Sequence, residues 1–111
     1  MQMTVAIIGA GNFGTALADL VASNGTPTRL WMRDEELLKS IQDHNENVRY
    51  LPNHKLHNNV QPTTDLEFAA KSSVLFVTVP SASFRSVSRD LSKYIRADAC
   101  VISGTKGVEA N

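Results

Sequence analysis

Gly9-Ala10-Gly11-Asn12-Phe13-Gly14 is the stretch on which the fold turns, three glycines spaced G-x-G-x-x-G between segments of different hydrophobic period. Before it, Met3 to Ile8 is a short apolar and β-branched run, as expected of a strand covered by helices on both faces. After it, Phe13, Ala16, Leu17, Leu20 and Val21 fall at i, i+3, i+4, i+7 and i+8, the predicted inward stripe of a helix that stops near Gly25. A glycine triplet alone says little. Placed directly after a strand and opening an amphipathic helix, it fits a turn that wraps the pyrophosphate of a dinucleotide. In that reading Gly9 permits the tight turn, Gly11 lets backbone approach the phosphates, and Gly14 lets the helix pack close to the sheet. The helix N-terminus supplies unpaired N–H groups and a partial positive charge for the anion.

Outward from this turn the same alternation continues. Thr28 to Met32 reads as a second strand, and Asp34 is placed to cap a helix presenting Leu37, Leu38 and Ile41. Residues 45–62, rich in Asn, His and Pro, form a long irregular connection with one short strand around Val60, and loops of that length tend to be functional. Thr64 with Glu67 predicts a capping box for a short helix that turns Leu66, Ala69 and Ala70 inward. Val74 to Val79 is the most continuous apolar strand, and Pro80 ends it. Ser81 or Ser83 then caps a helix with Phe84, Val87, Leu91 and Ile95 inward, and Ala99 to Ser103 makes a last strand stopping at Gly104. Such alternation predicts an α/β fold, a Rossmann-type doubly wound, mainly parallel sheet with helices on both faces and right-handed crossovers. Ligands of such sheets bind at the carboxyl ends of the strands.

The composition narrows the partners. The 111 residues suit one domain, and 11 Lys plus Arg balance 11 Asp plus Glu, which removes the electrostatic reason to expect nucleic acid or an anionic membrane. Any anion site must be local. Cys100 is the one cysteine, so an internal disulfide is excluded and a reducing compartment fits; within its apolar run it is expected to be a small buried residue. The opening residues carry no basic segment and the apolar run after them breaks at Gly9, so neither a signal peptide nor a membrane span is expected, and the cytoplasm is the default. His44, His54 and His57 lack metal-ligand spacing with cysteine or carboxylate partners, so no metal is expected.

The end of the second strand should meet the adenosine ribose, where an acidic residue normally accepts hydrogen bonds from the hydroxyls. Here the chain reads Trp31-Met32-Arg33-Asp34. Arg33 suits a ribose 2′-phosphate or can stack on adenine, which admits NADP(H) beside NAD(H), whereas Asp34 is more economically a helix cap. Pro80-Ser81-Ala82-Ser83-Phe84 and Ser103-Gly104-Thr105-Lys106-Gly107 should border the nicotinamide half. Lys106 can hold a phosphate or polarise a carbonyl, the alternative being a solvated loop lysine. Phe84 lies on its helix's apolar stripe, so core packing and a ring against the cofactor both stand.

Taken together, Gly9-Ala10-Gly11-Asn12-Phe13-Gly14-Thr15-Ala16-Leu17-Ala18, Leu30-Trp31-Met32-Arg33-Asp34, Glu46-Asn47-Val48-Arg49-Tyr50-Leu51-Pro52, Val79-Pro80-Ser81 and Ser103-Gly104-Thr105-Lys106-Gly107 resemble NAD(P)-dependent glycerol-3-phosphate dehydrogenase of the bacterial type. The likeness runs through nearly the whole chain. R-Y-L-P, then V-P-S, then T-K-G in this order is far more specific than the glycine motif. The resemblance implies reversible hydride transfer between a nicotinamide and C2 of sn-glycerol 3-phosphate or dihydroxyacetone phosphate, feeding phospholipid synthesis. It also implies that Asn12, Phe13 and Arg33 contact the cofactor, that Lys106 touches both cofactor and substrate, and that Phe84 approaches the cofactor. The expected cofactor set is therefore Gly9, Gly11, Asn12, Phe13, Gly14, Arg33, Pro80, Phe84 and Lys106, with Lys106 also binding substrate. Asn12 stands where serine is common in bacterial members, a mild change because both offer hydrogen bonds to phosphate.

Members of the family are longer, with a helical second domain that supplies the acid/base lysine and the phosphate-binding residues. Residues 1–111 are accordingly expected to be the dinucleotide-binding domain, with no catalytic residue of their own and no activity alone; a homodimer is compatible with the full-length enzyme. Two other readings share the first βαβ unit: a stand-alone NAD(P)-binding regulatory module, complete at this length, and a Rossmann reductase of another hydroxy compound. The loop around Tyr50 and the T-K-G turn favour the glycerol phosphate reading.

Overall fold

In the computed structural model, which describes residues 3–104, four helices separate five strands. They run β1 (Val5–Ile8), α1 (Asn12–Ser23), β2 (Thr28–Trp31), α2 (Glu35–His44), β3 (Val60–Thr63), α3 (Leu66–Ala70), β4 (Val74–Val77), α4 (Ser81–Leu91) and β5 (Cys100–Ser103). All pairs are parallel, in the order β3-β2-β1-β4-β5. Successive strands step one way from β1 to β3 and then restart on the other side at β4. That reversal is the topological switch point at which open α/β sheets bind ligands.

Side chains alternate across the sheet and divide the core in two. Val5 and Ile7 of β1 join Leu30 under Ala18 and Ala22 of α1 and Leu37 and Ile41 of α2. Ala6 and Ile8 join Leu75 and Val77 under Ala69 and Ala70 of α3 and Val87 and Leu91 of α4. Because both faces are covered, β1 is buried at all four positions, which is why it reads as a continuous apolar run rather than an alternating one. Each of Ile7, Ile8, Leu30 and Leu75, removed wholly from water, contributes roughly 1.5–3 kcal/mol. The register sets Ile8 level with Trp31 and Val77, so Gly9, Met32 and Thr78 leave the sheet along one edge.

Four sequence expectations need correction. The inward face of α1 is Gly14, Thr15, Ala18 and Ala22, while Phe13, Ala16 and Leu20 are exposed and Leu17 and Val21 only half-buried. Helix and sheet approach so closely here that small residues take the interface. The cap of α3 is Asp65, whose carboxylate accepts from Phe68 N–H at 3.2 Å, because the helix begins one residue later than the Thr64–Glu67 box requires. Pro80 occupies the cap position of α4, so Ser81 is already helical and neither serine caps by its side chain. Cys100 is exposed, because β5 is the edge strand and all four of its residues face solvent.

Candidate cofactor cleft

The three glycines of the first turn meet three different physical demands. Gly9 has φ +120°, a backbone that side-chain-bearing residues rarely adopt. A Cβ on Gly14 would stand 1.9 Å from the Gly9 carbonyl oxygen, so only glycine lets α1 come this near β1. Among the described residues, a Cβ on Gly11 would meet nothing within 4 Å. Protein packing therefore does not explain Gly11; the space beside it is open cleft.

Gly11 is also the N-cap of α1, with no side-chain cap. The first N–H groups of a helix have no intrahelical partner, and among the described residues no side chain takes them up here. Together with the helix dipole they make a site for an anion. The turn is held rigidly from below, since Thr78 Oγ1 donates toward the carbonyl oxygens of Ile8 (3.1 Å) and Gly9 (3.0 Å), and Gly9 N–H donates to Trp31 O (3.0 Å).

Around this turn lies a cleft of about 500 Å³ along the carboxyl ends of β1, β2 and β4. Of the residues expected from sequence, Gly9, Gly11, Asn12, Phe13, Gly14, Arg33 and Pro80 line it. Phe84 is instead half-buried against the α3–α4 core, and the cleft-lining residues of its helix are Ser83 and Val87. Lys106 lies outside the described residues. Trp31, Met32, Leu37 and Val79 give the cleft apolar walls.

At the β2 end, Arg33 is exposed, its guanidinium 5.9 Å from the Trp31 ring centroid, and it makes no ion pair among the described residues. Asp34 is fully engaged. Its Oδ1 accepts from Glu36 N–H (2.9 Å) and Leu37 N–H (3.3 Å), and its Oδ2 pairs with Arg49 at 2.6 Å. The Arg49 guanidinium, and after it the Leu37 N–H, hold this carboxyl below the usual aspartate range; Asp34 in turn raises Arg49. With Asp34 paired to Arg49, Arg33 adds a further positive charge to the lining at this end of the cleft.

Arg49 and Tyr50, absent from the expected cofactor set, line the same cleft. Their signal in the sequence was the length and composition of the 45–62 connection. What brings them here is long-range: Asn47 binds this loop to the glycine turn, and Asp19 of α1 binds it again through His54 Nε2 (2.7 Å) and His57 N–H (2.7 Å). His54 and His57 thus serve the loop's attachment.

The family described as NAD-dependent glycerol-3-phosphate dehydrogenase N-terminus matches residues 4–111. The chain belongs to that family. It is 44% identical to glycerol-3-phosphate dehydrogenase [NAD(P)+] of Saccharophagus degradans over 99% of its length, and 45% identical to that of Teredinibacter turnerae over 97%. It spans about a third of those curated relatives, 31% and 32%. Among solved structures it superposes on glycerol-3-phosphate dehydrogenase from Coxiella burnetii with TM-score 0.88 and 31% identity, covering 93% of this chain and 32% of that one. Membership in the glycerol-3-phosphate dehydrogenase N-terminal family agrees with the parallel Rossmann sheet and with the position of the cleft at its switch point. No helix among the described residues is long and apolar enough to cross a membrane.

Proposed function

We propose that this chain is the dinucleotide-binding domain of an NAD(P)H-dependent glycerol-3-phosphate dehydrogenase that interconverts dihydroxyacetone phosphate and sn-glycerol 3-phosphate for glycerophospholipid synthesis. The observation that carries the reading is Gly11: an uncapped helix start beside which a Cβ would meet nothing within 4 Å among the described residues, opening on an apolar-walled cleft. The residues present fit a dinucleotide. Gly11 and the first turn of α1 would take the pyrophosphate, Arg33 the adenosine ribose or its 2′-phosphate, and the turn after β4, with Pro80, the nicotinamide side. The nicotinamide supplies or takes the hydride. This chain's own residues bind and orient, and the apolar walls exclude water.

Lys106 belongs to the same proposal through family likeness, as a positive charge opposite the substrate oxygen. The acid/base group and the substrate phosphate site lie, in this reading, beyond residues 1–111. A cytoplasmic setting and homodimeric assembly of the full-length enzyme complete the proposal, and the zero net charge supports the absence of a nucleic-acid partner.

The test is twofold. Calorimetry should show NADPH and NADH binding to this chain, and the intact protein should oxidise NADPH when dihydroxyacetone phosphate is added. Lys106→Ala in the intact protein should lower kcat/KM by about 10²–10⁴ with NADPH affinity nearly unchanged. An intact protein that binds the cofactor but ignores dihydroxyacetone phosphate would return the regulatory module or another hydroxy-compound reductase to first place.

A further inference from the structure

Asn47 is completely buried, one of few polar side chains to be so. Its Nδ2 donates to Ala10 O at 3.0 Å and to Thr15 Oγ1 at 2.8 Å, while its Oδ1 accepts from Tyr50 N–H at 3.1 Å. The orientation of the amide is forced, because a backbone carbonyl can only accept and a backbone N–H can only donate. One side chain thus joins the glycine turn, the first turn of α1 and the loop carrying Arg49 and Tyr50.

The Ala10 carbonyl is the telling contact. Ala10 sits inside the G-x-G, and its carbonyl shares a peptide plane with the N–H of Gly11. No described peptide bond is cis, and in a trans peptide the C=O and N–H point in opposite directions. Holding the Ala10 carbonyl toward Asn47 therefore turns the Gly11 N–H the other way. Gly11 has no Cβ to steer it and open space beside it, so its peptide plane needs an external fixture.

We propose that Asn47 is a positioning residue for the pyrophosphate turn: by grasping the Ala10 carbonyl from the buried side it aims the Gly11 N–H into the cleft, and by accepting from Tyr50 N–H it sets the adenosine-side loop at the same time. The inference rests on the dinucleotide reading given above. Aspartate in this place retains an acceptor for Tyr50 N–H, and the Thr15 hydroxyl can rotate to donate to it. The Ala10 carbonyl, however, then faces a carboxylate and is repelled, so the turn is disturbed more than the loop. Alanine removes all three bonds without adding charge.

Asn47→Asp and Asn47→Ala in the intact protein are therefore compared with the parent by titrating ADP, which carries a pyrophosphate, and adenosine 2′-phosphate, which does not. Asn47→Asp is expected to lower the ratio of ADP affinity to adenosine 2′-phosphate affinity by about tenfold, the effect of one misplaced charge-assisted hydrogen bond, whereas Asn47→Ala is expected to weaken both ligands. Equal losses for the two ligands in Asn47→Asp would show that Asn47 only maintains the fold and would overturn the proposal. So would no loss for either. A parent protein that binds neither ADP nor NADPH would overturn the dinucleotide reading itself, a different failure. Should both variants fail to fold, NMR of the parent decides: the Asn47 side-chain amide protons should exchange slowly and shift with ADP but not with adenosine 2′-phosphate. An amide indifferent to ADP overturns the proposal.

Discussion

At the start of α1 stands Gly11, which leaves the first N–H groups of the helix uncapped; at the start of α2 stands Asp34, whose carboxylate takes the N–H groups of Glu36 and Leu37 for itself. The two turns are adjacent, following neighbouring strands and opening on the same cleft. They differ in charge as well. The first turn of α1 holds no acidic residue, whereas that of α2 adds Glu35 and Glu36 to its aspartate. A carboxylate at a helix start contributes the same interaction that an anionic ligand would make there. The second turn has thus filled its anion site with its own side chain, while among the described residues no side chain fills that of the first. Within one sheet, the contrast is between a helix start capped by its own carboxylate and one that the proposed function assigns to the pyrophosphate.

The largest expected effects come from breaking the first turn, and two of its glycines should break it in opposite ways. Gly14→Val places atoms against the Gly9 carbonyl, 1.9 Å from where its Cβ would stand, and should cost about 3 kcal/mol or more of stability by urea unfolding. At Gly11 a Cβ meets nothing within 4 Å among the described residues, so Gly11→Val should leave stability within ~1 kcal/mol, yet weaken NADPH binding by about 100-fold or more. If Gly11→Val destabilised the fold as Gly14→Val does, the open space beside Gly11 would be a packing feature and the contrast between the turns would fail.

A smaller effect tests the ribose end of the cleft. Arg33 is exposed and without an ion pair among the described residues, so a 2′-phosphate would be its natural partner. A hydrogen bond to a charged group contributes about 1.5–3 kcal/mol, and exposure pulls that toward the lower end, roughly tenfold in the NADPH-to-NADH affinity ratio. Arg33→Asp should invert the ratio. An unchanged ratio by isothermal titration would mean that Arg33 stacks on adenine or faces water.

How far this was legible from sequence differs between strand order and side-chain placement. The alternation of β-branched runs with helical periods predicts the parallel doubly wound sheet, and the glycine spacing predicts the tight turn at Gly9 and the close helix packing at Gly14, because both are local patterns. Periodicity misplaces the seat of α1 for a physical reason. It weighs large apolar residues, but a helix drawn this close seats Gly14, Thr15, Ala18 and Ala22 and leaves Phe13 and Leu20 outside. Cys100 is exposed against expectation because an apolar strand is buried only if something lies on it, which an edge position does not ensure. Asn47 was invisible as a site residue, since its partners Ala10 and Thr15 lie 37 and 32 residues away and meet it only in the folded chain. Arg49 reached Asp34 by the same folding of the loop.

The smallest effect concerns Asp34, the counterpart of Gly11. Asp34→Asn keeps a good capping oxygen for the N–H groups of Glu36 and Leu37 but removes the charge that pairs with Arg49. Arg49 first, and the capping N–H groups after it, depress the folded-state pKa of Asp34, so ionised Asp34 stabilises the folded chain. That contribution is complete above the unfolded aspartate pKa of about 3.9 and is lost as pH falls through the lower folded value. The parent should therefore melt at most a few degrees above Asp34→Asn at pH 6, since the pair is exposed, and the gap should shrink with added salt and close in strong acid. NADH affinity should be the same in both proteins, because a carboxylate already bound by Arg49 and two N–H groups is not the ribose acceptor. A marked loss of NADH affinity in Asp34→Asn would instead make the second turn a ligand site too, and the two helix starts would then differ in degree, with one serving phosphates and the other hydroxyls.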